Sequence, residues 1–405
     1  MTKIKLAIIR EGKVPPDKRV PLTPKQCLEV QEQFPNVELV VQTSSVRAFP
    51  DEDYSNLGIP VVEDINDCDI MIGVKEVNKE DLIPNKKYIF FSHTFKKQPY
   101  NRTLLQEILK KNIQLIDYEV MTNSAGNRII GFGRYAGIVG CYNGFLAFGL
   151  KHKLYSLKPA NQCHDRIELE NELKKVILPK NTKIVATGFG RVGNGAREIF
   201  KLVGLKEVSA NDFLEKEFDE PVLAHIKLGD YYERLDGKPF DRNAFFQSGA
   251  GHRSKFKSFL LKADMYVACH YWDSSSPYIF TREDIKDPQI RTTVISDISC
   301  DIDGPVATTI RPSTIANPLY GYDPQAEKEV DFMQEGAIGV QAVDNLPCEL
   351  PRDASEDFGN SLIDKIFPSL FGEDKDGIIE RASETNLNGE LMPKYSYLED
   401  YVKGN

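Results

Sequence analysis

The sequence predicts an α/β chain of two Rossmann-like domains, each with a mostly parallel sheet, and a cleft between them. Three observations carry this. Residues 183–196 run from a short apolar strand through Gly188-x-Gly190-x-x-Gly193 into a helical pattern. In the first third of the chain, short apolar runs alternate with helical stretches, the signature of a parallel sheet covered by helices on both faces. A length of 405 residues makes about two domains, each with its own core.

The elements follow in order. Lys5–Ile9 reads as a strand, and Thr23-Pro24 as a helix start, with Thr as N-cap and Pro in the first turn. That helix extends to about Phe34, and Val37–Gln42 is the second strand. Ile70–Val74, Tyr88–Phe91 and Gln114–Asp117 are three more, with a helix over Leu104–Lys111 that ends on lysines. Residues 133–150 are mostly small and apolar and predict a buried helix crossing between the domains; 151–182 are a charged connector with one helix. Ile184–Ala186 begins the glycine-loop unit, whose helix covers Ala196–Leu202 and stops before Gly204. Its next strand is Glu207–Ala210, and residues 213–260 are a polar, irregular insertion. Met265–Ala268, Thr293–Asp297 and Ala337–Val343 are further strands, and Pro351–Ser355 leads into a helix and an acidic tail.

The glycines have separate physical roles. Gly188 permits the tight strand-to-helix turn, Gly190 lets the backbone approach a pyrophosphate, and Gly193 lets helix and strand pack closely. The helix that begins at Arg191 and Val192 presents free N–H groups and a positive dipole end to the phosphates. Asp212 lies 19 residues after Gly193, near the place of an acid that binds an adenosine ribose. A carboxylate there repels a 2′-phosphate, so NAD is expected in preference to NADP.

Composition narrows the class. A formal charge of −9 disfavours a nucleic-acid partner. No apolar run is long enough for a membrane span, and Leu6–Ile9, cut by Arg10 and Glu11, is no signal peptide. Seven scattered cysteines without a CxxC pair predict reduced thiols, no metal centre and a cytoplasmic protein.

Ligands of such sheets bind beyond the C-terminal ends of the strands. Lys75, His93 and Glu119 follow three successive strands, so an amine, an imidazole and a carboxylate are gathered where proton transfer is possible. Arg19, in the loop after the first strand, suits a substrate carboxylate through its bidentate fork.

The order of motifs resembles the alanine dehydrogenase and transhydrogenase superfamily. Within it, the chain resembles the lysine-forming saccharopine dehydrogenases and the lysine–ketoglutarate reductase domain. The stretches that carry this include Asp17-Lys-Arg-Val-Pro-Leu-Thr-Pro24, Ile72-Gly-Val-Lys-Glu76, Phe90-Phe-Ser-His-Thr94 and Leu115-Ile-Asp-Tyr-Glu119. Asn127-Arg-Ile-Ile-Gly-Phe-Gly133, Ser296-Asp-Ile-Ser299 and Val343-Asp-Asn-Leu-Pro347 extend it through the chain. The resemblance implies catalytic roles for Lys75, His93, Glu119 and Asp344, and substrate binding by Arg19, Arg128 and Phe132. It implies a substrate domain of residues 1–135 plus 353–405 and a dinucleotide domain of 136–352. The implied chemistry joins lysine and 2-oxoglutarate as an imine and reduces it with a nicotinamide hydride to saccharopine, or runs in reverse. Its partners are thus small amino-acid and 2-oxo-acid substrates, with no nucleic acid and no membrane; a homo-oligomer is compatible with it.

Three alternatives stand beside this reading. An alanine dehydrogenase would share Arg19, Lys75 and His93, but that branch usually carries a glycine loop of GxGxVxG type and an Asn-Met-Pro segment where this chain has Asp344-Asn-Leu-Pro347. An opine-type N-(carboxyalkyl) amino acid synthase uses the same imine reduction on another oxo acid. A transhydrogenase-like subunit binds NAD(H) without a small substrate.

Overall fold

The computed structural model describes residues 3–404. The chain divides into two compact units, Met1–Phe132 with Pro351–Asn405, and Gly133–Leu350.

The first unit holds β1 (Ile4–Ile8), β2 (Val37–Gln42), β3 (Val61–Val62), β4 (Ile70–Ile72), β5 (Lys87–Phe90) and β6 (Gln114–Asp117). They form one all-parallel sheet in the order β3-β2-β1-β4-β5-β6. Helices α1 (Pro24–Gln33), α2 (Asp51–Ser55) and α3 (Arg102–Lys110) lie between the strands in sequence. Thr23 and Gln26 form a reciprocal capping box at the start of α1, which satisfies two of the orphan N–H groups of a helix end. The chain returns to this unit with helices at Pro351–Lys365, Phe367–Phe371 and Ile378–Ala382. Phe358, Leu362, Ile363, Ile366 and Phe367 from that return enter the same core as Leu6, Ile8, Leu39 and Ile72. Ser383 then forms an antiparallel bridge with Ile116 at the open edge of β6.

The second unit opens with α4 (Gly133–His152) and α5 (Arg166–Leu173). The strand β7 (Lys183–Thr187) leads through the glycine loop into α6 (Arg191–Val203), then β8 (Lys206–Glu207), α7 (Ala210–Glu215) and β9 (Val222–Ile226). A short helix α8 (Leu228–Tyr231), a hairpin of β10 (Tyr232–Arg234) and β11 (His252–Ser254), and helices α9 (Arg242–Gln247) and α10 (Lys257–Leu260) follow. The sheet is completed by β12 (Met265–Ala268), β13 (Val294–Asp297), β14 (Leu319–Asp323), β15 (Lys328–Val330) and β16 (Ile338–Gln341). Its order is β15-β14-β16-β13-β12-β7-β9-β8, parallel except where β14 pairs antiparallel with β15 and β16.

Close helix packing explains two glycines of α4. A Cβ on Gly137 would stand 1.9 Å from the Val192 carbonyl oxygen, and one on Gly140 would stand 2.5 Å from Ile298. The helix is therefore buried because α6 and β13 lie against it. It belongs wholly to the second unit rather than crossing between two. Among the described residues no helix is long and apolar enough to cross a membrane.

Residues 213–260 are not an irregular insertion. They contain β9, which pairs directly with β7, and the local run Val222–Ile226 is fully buried. The strand expected at Glu207–Ala210 stops at Glu207, because Ser209 caps α7 by accepting from the Asp212 backbone N–H. Ser followed three residues later by Asp is a helix-start pattern, and the first-turn carboxylate also suits the helix dipole.

Candidate active site

The exits of β4, β5 and β6 converge in the first unit. Val74 and Lys75 leave β4 with both backbone N–H groups donating to the carboxylate of Glu11, at 2.6 and 2.9 Å. That carboxylate fixes the Lys75 backbone, and burial followed by the nearby Asp17 pushes Glu11 up to about 8. His93 follows β5 in a left-handed conformation, φ 56° and ψ 13°. Glu119 follows β6, its N–H held by Asp117 at 2.6 Å.

The imidazole joins the exits. His93 Nδ1 lies 2.9 Å from Glu119 Oε2, and its Nε2 lies 3.7 Å from Glu76 Oε1. Burial alone would raise Glu119, but hydrogen bonds from His93 and Lys96 outweigh it and hold this carboxyl at about 2. An ionised carboxylate only accepts, so Nδ1 carries the proton it donates, and Nε2 is the position that can take or release another. Lys96 closes the other side of Glu119 at 2.6 Å, and Lys13 pairs with Glu76 at 3.2 Å. Burial lowers the pKa of Lys75, and the cations Arg19 and Lys13 lower it further; Glu76 and Asp17 oppose them.

The arginines differ. Arg19 is buried, and its fork grips Asp17 through Nε at 3.0 Å and a terminal nitrogen at 2.6 Å. Its guanidinium lies over Phe132, 4.2 Å from the ring centre, and Phe132 stacks on Phe358 at 4.3 Å. Arg19 is thus a cation oriented by its own carboxylate partner, not an open fork. Arg128 is more exposed: Nε donates to the Ile130 carbonyl at 3.0 Å, and a terminal nitrogen lies 3.8 Å from Glu119.

In the second unit, the glycine loop separates protein requirements from something else. A Cβ on Gly188, where φ is +88°, would lie 2.2 Å from the Cys269 carbonyl oxygen. A Cβ on Gly193 would lie 1.9 Å from the Gly188 carbonyl oxygen. Gly190 has no such neighbour within 4 Å and has an ordinary backbone, φ −79°. Nothing in the chain demands glycine there, while a phosphate brought to the α6 N-terminus does. His225 on β9 donates from Nε2 to the Gly188 carbonyl at 2.5 Å, stacks on Phe189, and leaves a buried, unpartnered Nδ1. His270, after β12, has a buried Nε2 without a partner, and burial pushes it down to about 3, so it is a neutral imidazole. Open space at Gly190 and two orphaned ring nitrogens around the loop fit a dinucleotide. Arg191 and Val192 form the first turn of α6.

Asp212 requires a correction. It sits in the first turn of α7, paired with Lys216 at 2.8 Å, and not at the end of a strand. Its element follows β8, which β9 separates from β7. The strand beside β7 ends at Ile226, opposite Thr187, so exposed Lys227 stands level with Gly188. Asp344 is exposed in the turn three residues beyond β16.

Sequence reasoning assigned no part to Glu11, Glu76, Lys96, His225, His270 or Lys227. Glu76 adjoins Lys75 and Lys96 lies three residues past His93, so the strand-exit rule extended by one turn finds them. Glu11 is one turn past β1 for the same reason.

This is a two-unit α/β fold with a dinucleotide-type loop, and its relatives agree. Residues 7–139 match the model of the alanine dehydrogenase/PNT N-terminal domain. An L-alanine dehydrogenase structure superposes with a TM-score of 0.63 at 17% identity, covering 98% of this chain and 99% of that one. In sequence, the chain is homologous to an alpha-aminoadipic semialdehyde synthase of Arabidopsis thaliana, 28% identical over 96% of this chain and 41% of the relative. It is likewise homologous to a saccharopine dehydrogenase [NAD(+), L-lysine-forming] of Emericella nidulans, 27% identical over 89% of this chain and 90% of the relative. The chain therefore spans less than half of the semialdehyde synthase and nearly all of the saccharopine dehydrogenase.

Proposed function

We propose that the chain interconverts saccharopine with L-lysine and 2-oxoglutarate, as a nicotinamide-dependent amino-acid dehydrogenase. The first unit binds the substrates and the second the dinucleotide. The observation that carries the reading is the array Lys75–Glu76–His93–Glu119 at three strand exits, in a chain homologous to saccharopine dehydrogenases along most of its length.

Lys75, with its ammonium disfavoured by burial, accepts the proton that the substrate ε-ammonium must lose to become a nucleophile. His93 delivers a proton from Nε2 to the hydroxyl that leaves as water when the imine forms. Glu119 holds the ring and stabilises the imidazolium between turnovers. Arg19 and Arg128 offer fixed positive charge to an adduct that carries three carboxylates. A bound nicotinamide dinucleotide supplies the hydride that reduces the imine carbon. In the second unit Asp344, three residues beyond β16, belongs to the same reading as the acid that the resemblance assigns to the reaction.

The test is a substrate screen. NAD(P)H oxidation is expected when lysine and 2-oxoglutarate are supplied together, and little with either alone. One methylene separates lysine from ornithine and is worth only about 1–3 kcal/mol, so ornithine should be a poorer substrate rather than an inert one. Brisk turnover of pyruvate with ammonia, and none with saccharopine, would move the chain to the alanine dehydrogenase reading.

The coenzyme reading changes with the position of Asp212. The end of β9, and not α7, adjoins the glycine loop, and Lys227 there favours a 2′-phosphate. We infer NADP(H) as the better coenzyme. Lys227→Ala should lower kcat/KM for NADPH about tenfold, the worth of one charge-assisted contact, and leave NADH nearly unchanged. A wild-type protein that uses NADH more efficiently than NADPH would refute this.

A further inference from the structure

The turn that carries His93 is strained and buried groups hold it. A residue with a Cβ in the left-handed region costs on the order of 1–3 kcal/mol unless its surroundings fix it. Ser92 and Thr94, on either side of His93, are fully buried, as are Asp117 and Glu384. Glu384 comes from the C-terminal return, where its N–H donates to the Leu115 carbonyl at 2.8 Å.

The four side chains form a line of short contacts. Glu384 Oε2 is 2.6 Å from Thr94 Oγ1, Thr94 Oγ1 is 2.5 Å from Ser92 Oγ, and Ser92 Oγ is 2.5 Å from Asp117 Oδ2. Three oxygen–oxygen contacts need three protons, and the two hydroxyls supply only two. The third must come from a carboxyl group. Asp117 already accepts the backbone N–H groups of Ser92 at 3.0 Å and Glu119 at 2.6 Å, which favours its anion. The proton therefore belongs to Glu384. It donates to Thr94, Thr94 donates to Ser92, and Ser92 donates to the Asp117 carboxylate. Burial, and then the neighbouring Asp117, raise the pKa of Glu384, in keeping with this count.

We propose that Glu384, in its protonated form, is a positioning residue for His93, locking the turn through Thr94 and Ser92 and, through Asp117, the Glu119 that orients the ring. This rests on the reading of His93 as the proton-transfer group. It adds that the C-terminal return supplies an essential part of the site, at a residue that touches no substrate.

The experiment compares Glu384→Gln, Glu384→Ala and Thr94→Val in the full chain. Gln keeps an N–H donor for Thr94, so it should retain at least a third of wild-type kcat. Ala and Thr94→Val should each lower kcat about 10–100-fold with KM within about twofold. The second readout does not use activity. The chain has six histidines, and the His93 ring signals, identified by their loss in His93→Gln, report by ¹⁵N NMR which nitrogen carries the proton. In wild type and Glu384→Gln, Nδ1 should be protonated with a hydrogen-bonded shift; in Glu384→Ala and Thr94→Val that signature should be lost. A wild-type His93 signature in both Glu384→Ala and Thr94→Val would overturn the proposal, whatever the activity. Damage by Gln as large as that by Ala would overturn the protonated form. If His93→Gln turns over normally while the ring signature still follows Glu384, the catalytic reading fails and the positioning proposal stands.

Discussion

Lys75→Met should lower kcat by roughly 10²–10⁴-fold, the range for loss of an acid–base group, and His93→Gln should do the same. Both variants should bind the reduced dinucleotide with wild-type affinity, because both residues lie in the first unit and the glycine loop in the second. The pH profile carries a sharper test. In the proposed mechanism Lys75 acts in its base form, so the acidic limb of kcat/KM should rise through a pKa below the ordinary lysine value of about 10.4. In Lys75→Met that limb should vanish, since the group that titrates is gone. An unchanged limb would assign it to another residue, and near-normal turnover in either variant would make that residue structural.

The second and third glycines of the loop should fail in different ways. Gly193→Ala drives a Cβ to 1.9 Å from a backbone oxygen, which no rotamer relieves. Overpacking of this kind costs about 1–3 kcal/mol or more, so melting should fall by roughly 3–10 °C. Gly190→Ala meets nothing in the chain, and its melting temperature should stay within about 1 °C of wild type. Its dinucleotide affinity should nonetheless drop tenfold or more, because the new methyl occupies the space that a pyrophosphate approaches. Calorimetric melting and titration with the reduced dinucleotide separate the two effects. A Gly190→Ala protein that binds as wild type does would remove the phosphate role from this loop.

Much of the architecture was legible locally. Gln114–Asp117 and Met265–Ala268 are strands with the limits read from their apolar runs, and the Thr23 cap opens α1 as its pattern predicts. The strand-exit rule gathered Lys75, His93 and Glu119 from composition and order alone. What it could not supply was lateral order. Whether Glu207 or Val222 begins the strand beside β7 depends on pairing across the sheet, and a two-residue β8 gives no periodicity to read. The error over Asp212 followed from that, since spacing along the chain stood in for adjacency in the sheet. Val222–Ile226 was missed for a simpler reason: its four apolar residues are broken by His225 and set inside a polar neighbourhood. Glu384 had no local signal at all, because its partner Thr94 is 290 residues away and only the folded edge of β6 joins them.

The return of the chain to its first unit sets an order of events during synthesis. The second unit is continuous and is complete once Leu350 has emerged from the ribosome, whereas the first still lacks the helix Pro351–Lys365 and the bridge at Ser383. Domains fold as units while translation proceeds at about 5–20 residues per second. The second unit therefore matures ahead of the first, and for several seconds the sheet of the first unit waits with one flank uncovered. A chain released prematurely after residue 350 carries every residue of the strand exits yet lacks Glu384 beneath Thr94, so the turn at His93 is complete only after the chain has returned to its first unit.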